Sequence, residues 1–176
     1  MERSHESRPS KSTQIREWTG GVRKRTRSRE CALQILYQMD ASDAELKDAL
    51  EDFWKDKTDL ALNDPEKDVI ESDKKDPEVH QYAEKVVKGV LDHLENIDPM
   101  IERYVENWSM TRMAYVDRNI LRLASFEILY CEDIPVKEAI HEAVELAKRY
   151  GESDSSKFVN GILDRIAKTE NPSKKS

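Results

Sequence analysis

The 176-residue sequence predicts an all-helical protein built from six to seven helices. Three observations carry that prediction. Apolar residues recur at intervals of three and four in segment after segment, and no alternating strand pattern occurs. Helix start signals punctuate the chain at Asp76-Pro77, Asp98-Pro99 and Pro135. Glycine and proline number only five and six, so little of the chain is committed to turns. Helices with one apolar face and short connections pack as bundles.

Residues 1–22 are rich in Ser, Arg and Glu and poor in apolar side chains. They bury too little to offset the entropy of ordering, which predicts a disordered N-terminal extension. A first helix is expected over residues 27–40, with Ala32, Ile35, Leu36 and Met39 on one side. A second is expected over about 44–62, carrying Leu46, Leu50, Phe53 and Trp54. The stretch 63–76 is charged and aperiodic and reads as an acidic loop. At Asp76-Pro77-Glu78, a capping carboxylate precedes a proline whose missing N–H costs nothing at the first helical position. The third helix follows, with Val79, Tyr82, Val86, Val87 and Val90 at helical spacing.

Asp98-Pro99 repeats the signal for a short helix ending near Trp108. Ser109 is placed to cap a longer one over 110–131. Pro135 opens the next, and Gly151 closes it. Ser153 or Asp154 then caps a last helix lined by Phe158, Val159, Ile162 and Ile166. Gly161 inside it costs roughly 1 kcal/mol against Ala, so it is expected to mark a close helix contact. The breaks near 96–99 divide the chain into an N-terminal bundle, 27–96, and a C-terminal bundle, 97–168, on a shared face. Residues 169–176 are expected to be a disordered tail.

Composition excludes several classes. Charged residues make up 37% of the chain and mean hydropathy is -0.81, with no apolar run of spanning length. The first twenty residues lack a secretory hydrophobic segment. Cys31 and Cys131 form neither a disulfide framework nor a C-x-x-C pair, so a cytoplasmic setting is expected. The four histidines lie apart, without metal-ligand spacing, and there is no phosphate-binding glycine loop. Glu138, Glu142 and Glu145 share a helix face, but such rows are usually solvated, here beside Lys137 and Lys148. No cofactor, metal or catalytic residue is therefore expected, and the protein reads as a non-enzyme.

Charge distribution says more than the net charge of -7. Residues 1–30 hold nine Lys/Arg against four Glu, whereas 40–78 hold fifteen Asp/Glu against six Lys. The run RKRTRSRE, residues 23–30, enters the first helix directly. Cations at a helix N-terminus oppose its dipole, and an anionic ligand would remove that penalty. A polynucleotide fits, because each neutralised phosphate releases counterions. A solvated tail is the plainer alternative. The segment SDSSKFVNG, residues 153–161, sets hydroxyls, Lys157 and Phe158 at a helix start, with Phe158 either in the core or available for stacking.

Three stretches resemble the NusB family: RSRECALQILYQMD at 27–40, VDRNILRLASFEILYCEDIPVKEAIHEAVELAKRYGESDSSKFVNGILDRIA at 116–167, and YAEKVVKGVLDHLENIDPMIERYV at 82–105. The resemblance implies an all-α, NusB-like fold of two small helical bundles over 23–168. It implies a transcription antitermination factor that binds boxA-type single-stranded RNA of ribosomal RNA leaders. It further implies pairing with NusE, a small-subunit ribosomal protein, and assembly with other Nus factors on RNA polymerase. Carried over by position, the arginine-rich motif falls on Arg23, Lys24, Arg25, Arg27 and Arg29. Further RNA-facing positions fall on Asp154, Lys157 and Phe158, and NusE-contacting ones on Tyr37 and Asp117. The arm from Arg23 to Arg29 is expected to be mobile when free and to order on RNA. The rival reading is a helical module that binds only protein.

Overall fold

Amphipathic segments become helices where an apolar face has something to cover. The computed structural model describes the backbone of residues 11–55, 76–106 and 108–171, with side chains from Arg23 onward. Seven α-helices occur among them: α1 (Lys11–Ser42), α2 (Leu46–Trp54), α3 (Pro77–Asp92), α4 (Leu94–Tyr104), α5 (Tyr115–Tyr130), α6 (Val136–Tyr150) and α7 (Ser155–Glu170). A 3₁₀ turn, Met110–Arg112, precedes α5. No strand occurs among the described residues, and none of their helices is long and apolar enough to cross a membrane. Residues 1–10, the acidic loop apart from Asp76, and the tail beyond Asn171 lie outside the described residues.

α5 lies at the centre, packed against α1, α3, α4, α6 and α7. Ile120, Leu121, Leu123, Ala124 and Ile128 of α5 are 1% exposed or less. Each buried Leu or Ile contributes roughly 1.5–3 kcal/mol through removal from water. The core is one contiguous cluster, and the expected boundary at 96/97 falls inside α4. Cys31 and Cys131 are buried in that core and are not disulfide-bonded.

Because α5 is covered on several sides, its polar residues are covered too. Glu127 is fully buried and faces Arg29, which is 1% exposed. Arg29 Nε donates to Glu127 Oε1 at 2.8 Å and Nη2 to Oε2 at 2.8 Å. The Tyr82 hydroxyl of α3 donates to the same carboxylate at 2.9 Å. Arg29 Nη2 also reaches Glu138 of α6 at 3.1 Å. Four helices therefore meet on one ion pair. Burial opposes the Arg29 charge, but hydrogen bonds and Coulomb attraction from Glu127 outweigh it and hold the guanidinium protonated.

A second network lies a few turns on. Asp40 of α1 accepts from Arg118, Asn119 and Arg122 of α5, and Arg122 forks onto Asp98 of α4 at 2.8 Å and 2.8 Å. Burial opposes ionisation of Asp40. Hydrogen bonds from Arg118 and Asn119 and the charge of Arg122 outweigh burial, so its carboxyl titrates below the usual 3.8.

Several boundaries differ from expectation. α1 begins at Lys11, not near Arg27, so the expected coil is helical from there on. Once the packed part of a helix exists, each further residue adds one hydrogen bond without a new nucleation cost. Asp76 caps α3 as expected, accepting from the Glu78 N–H at 2.9 Å. Asp98-Pro99 starts nothing: α4 begins at Leu94, and Pro99 sits inside it. The Asp98 carboxylate is taken by Arg122, and burial of Ile97, Met100 and Ile101 outweighs the lost backbone bond. The expected helix over 110–131 is split, because Glu102 accepts from the Met110 N–H at 2.8 Å and Arg118 donates to its carbonyl at 3.0 Å. Ser109 caps no α-helix; its hydroxyl meets that of Thr111. Glu138 and Glu142 face Arg29 rather than solvent lysines, whereas Glu145 does pair with Lys148, at 3.1 Å.

The close helix contact expected at Gly161 lies elsewhere. A Cβ on Gly161 would meet nothing within 4 Å. A Cβ on Gly89 of α3 would stand 2.1 Å from the ring of Phe126 on α5, so the glycine lets these helices approach.

Three outcomes are expected. Glu127→Ala leaves the buried Arg29 charge without its main partner and costs about 3–5 kcal/mol in urea unfolding. Gly89→Ala destabilises by about 1–3 kcal/mol through overpacking, whereas Gly161→Ala stabilises by roughly 1 kcal/mol; thermal melts of the two variants should move in opposite directions. The stability linked to Asp40 is present above its unfolded value near 3.8 and is lost as pH falls through the lower folded value. Asp40→Asn should therefore flatten the acid limb of a stability–pH profile below about pH 4.

Candidate nucleic-acid interface

Helix geometry divides the basic run of residues 23–29. With Arg29 turned into the core, Arg25 lies one turn back on the same side and leans toward α3. Its guanidinium sits 5.3 Å from the Tyr82 ring centre and 3.4 Å from Asp133. Lys24 lies 3.2 Å from Glu78 and 3.3 Å from Asp76, and hydrogen bonds to those carboxylates raise its pKa above the ordinary lysine value. Arg27 is mostly covered and donates to Glu30 at 2.7 Å. Arg23 is exposed.

This corrects two expectations. Arg29 is a core residue and does not face a ligand, because Glu127 would otherwise be a buried, uncompensated charge. The segment 23–29 is already helical, so ligand binding need not fold it.

Lys24, Arg25 and Ser28 form one wall of a groove of ≈ 470 Å³; Glu78, Gln81, Tyr82 and Lys85 of α3 form the other. Lys85 brings a third cation to the Tyr82 ring, 5.8 Å from its centre. Sequence reading missed Gln81 and Lys85 and assigned Tyr82 only to the core face. Burial and the facing Glu127 carboxylate push the Tyr82 phenol upward, so it stays a neutral donor.

The second predicted feature gathers at the start of α7. Asp117, Asp154 and Phe158 line one groove of ≈ 810 Å³ with Trp108, Arg112 and Tyr115. Tyr37 stands at its edge, T-shaped against Tyr115 at 6.0 Å, and the Arg118 guanidinium covers Tyr115 at 4.3 Å. Phe158 is half-buried, with one side on the core and the other in the groove. Asp154 precedes α7 but makes no side-chain cap. The Ser155 hydroxyl instead accepts from the Glu152 N–H at 2.9 Å. Burial raises the Asp117 pKa, against a hydrogen bond from Ser155, and one buried carboxylate oxygen has no partner. Lys157 points into a neighbouring groove.

The two features stay apart. Lys24 and Tyr37 share α1, and its rise per residue separates them by about 20 Å. Together the patches offer cations near the middle of α1 and aromatic faces toward its C-terminal end. Three or more metal-ligating side chains do not converge anywhere among the described residues.

The NusB family profile matches residues 26–168. A transcription antitermination protein NusB from Myxococcus xanthus (strain DK1622) is 45% identical over 143 residues, covering 81% of this chain and 94% of that protein. The structure of T. maritima NusB superposes with a TM-score of 0.67 at 39% identity, covering 82% of this chain and 91% of that one. The crystal structure of antitermination factors NusB and NusE in complex with dsRNA superposes at 0.66, with 28% identity over 84% of this chain and 96% of that one. A profile match over most of the chain, backed by a matching fold, settles its kinship: this protein belongs to the NusB family.

Proposed function

We propose that this chain is a cytoplasmic transcription antitermination factor that binds boxA-type single-stranded RNA of ribosomal RNA leaders together with NusE. In that reading it joins other Nus factors on RNA polymerase and supports processive ribosomal RNA transcription. The observation that carries it is the cation-bearing stretch in the middle of α1. Arg23, Lys24 and Arg25 stand on a continuous helix, and carboxylates at the surface hold Lys24 and Arg25. Exposed ion pairs contribute little in water, so phosphate can replace Asp76, Glu78 or Asp133 at small cost. A preformed helix also spares the ligand the entropy of ordering an arm.

The second patch serves the partners. Phe158 offers a stacking face for an unpaired base, and Lys157 a phosphate contact. Tyr37 and Asp117 offer NusE an aromatic edge and a carboxylate in the groove wall. A solved relative is a complex of NusB and NusE with dsRNA, which supports binding of RNA and NusE by one protein.

About four phosphate contacts, from Arg23, Lys24, Arg25 and Lys157, give a salt slope near -3 for a single strand. Affinity for boxA-type RNA should then fall roughly 50-fold between 50 and 200 mM salt. The triple variant Arg23→Ala/Lys24→Ala/Arg25→Ala should flatten that slope to about -1 and weaken binding with or without NusE. Fluorescence polarisation over a salt series checks this. Unchanged RNA affinity in the triple variant would leave only a protein-binding module.

A further inference from the structure

Gly161 presents a physical contradiction. It sits inside α7, where glycine weakens a helix, yet no neighbouring atom needs the missing side chain. It forms part of a groove of ≈ 450 Å³ between the end of α4 and α7, with Trp108, Lys157, Phe158 and Arg165 around it and Glu106 at the exposed rim. Lys157, Gly161 and Arg165 follow at intervals of four, so they form one row about 12 Å long on one helix face.

The charges of this row differ from four of those on α1. Lys24, Arg25, Arg27 and Arg29 each face a carboxylate. Among the described residues, no carboxylate lies within ion-pair distance of Lys157 or Arg165. Arg165 donates to the Tyr104 backbone carbonyl at 2.8 Å, which fixes its head across the groove and leaves its charge uncompensated. Beside them Trp108 is 55% exposed, the most exposed of the large hydrophobic side chains described. Two uncompensated cations flanking bare helix backbone, next to an exposed indole, match the chemistry of a polynucleotide strand.

We propose that this α4–α7 groove is a second RNA subsite. The sugar–phosphate backbone passes over Gly161 between Lys157 and Arg165, and an unpaired base stacks on Trp108. Gly161 is glycine because the ligand approaches the helix there. The proposal rests on the RNA-binding function given above and extends the RNA path beyond Phe158 to residues that the family motif did not supply.

The test uses the full-length protein, a fluorescein-labelled boxA-type RNA, and the variants Gly161→Ala, Gly161→Leu, Trp108→Ala, Arg165→Ala and Arg25→Ala. Gly161→Ala should raise the melting temperature and still weaken RNA binding, so loss of fold cannot account for the loss of affinity. Gly161→Leu should weaken binding further. Trp108→Ala should lose at least about 5-fold, the lower end of base–aromatic stacking. Arg165→Ala should make the salt slope shallower by about 0.7. If the Gly161 and Trp108 variants bind RNA like the parent while Arg25→Ala is weakened, the subsite is overturned and the RNA-binding function stands. If Arg25→Ala is unchanged as well, both are overturned. If Gly161→Leu loses NusE and keeps RNA, the groove belongs to the protein partner and the subsite is overturned.

Discussion

The structure turns on one buried ion pair. Glu127 sits on the central helix α5, fully removed from water, and Arg29 of α1 is the group that makes its charge tolerable. Two charges in a dry interior hold only with good geometry and with their remaining hydrogen-bonding atoms satisfied. Here the fork of Arg29 meets both carboxylate oxygens, Tyr82 adds a donor from α3, and Glu138 and Glu142 close in from α6. The pair therefore specifies which turn of α1 faces α5. A slip of one residue would take Arg29 out of register and strand Glu127. Asp40, about three turns further along α1 and near its C-terminal end, repeats the logic with Arg118 and Arg122.

That register decides what the surface offers. With Arg29 inside, Arg25 leans on Tyr82, Lys24 turns toward the N-terminus of α3, and Arg23 stays exposed. The basic run is thus part of the scaffold and part of the interface, divided by helix geometry. Glu30, itself buried, links Arg27 and Arg149, tying the first turns after the basic run to the end of α6. Rigid presentation of cations trades adaptability for a smaller ordering cost. The aromatic patch near α7 inherits its position from the same core, through Tyr37 on α1 and Tyr115 on α5.

Two identical signals show where sequence reading succeeds and where it stops. Asp76-Pro77 starts α3, because Asp76 Oδ1 caps the Glu78 N–H while Lys24 takes the other oxygen. Asp98-Pro99 looks the same and starts nothing, because Arg122 captures the Asp98 carboxylate from 24 residues away. The same competition removes Ser109 as a cap, since Glu102 and Arg118 hold Met110 in a 3₁₀ turn. Asp154, Lys157 and Phe158 were legible as candidates because they are adjacent in sequence. Lys85, Trp108 and Arg165 were not, since each joins a groove through residues distant along the chain.

By itself the sequence determined the helical class, the apolar face of each helix, the cap at Asp76 and the sites worth suspecting. Those properties depend on spacings of one to four residues, which a chain carries wherever it goes. Tertiary structure alone decided that Arg29 is core, that Gly89 rather than Gly161 lets two helices touch, and that the basic run is helix rather than coil. Each of those depends on which distant group arrives. A buried charge, a missing Cβ or a helix end is judged by its neighbours, and neighbours exist only after folding.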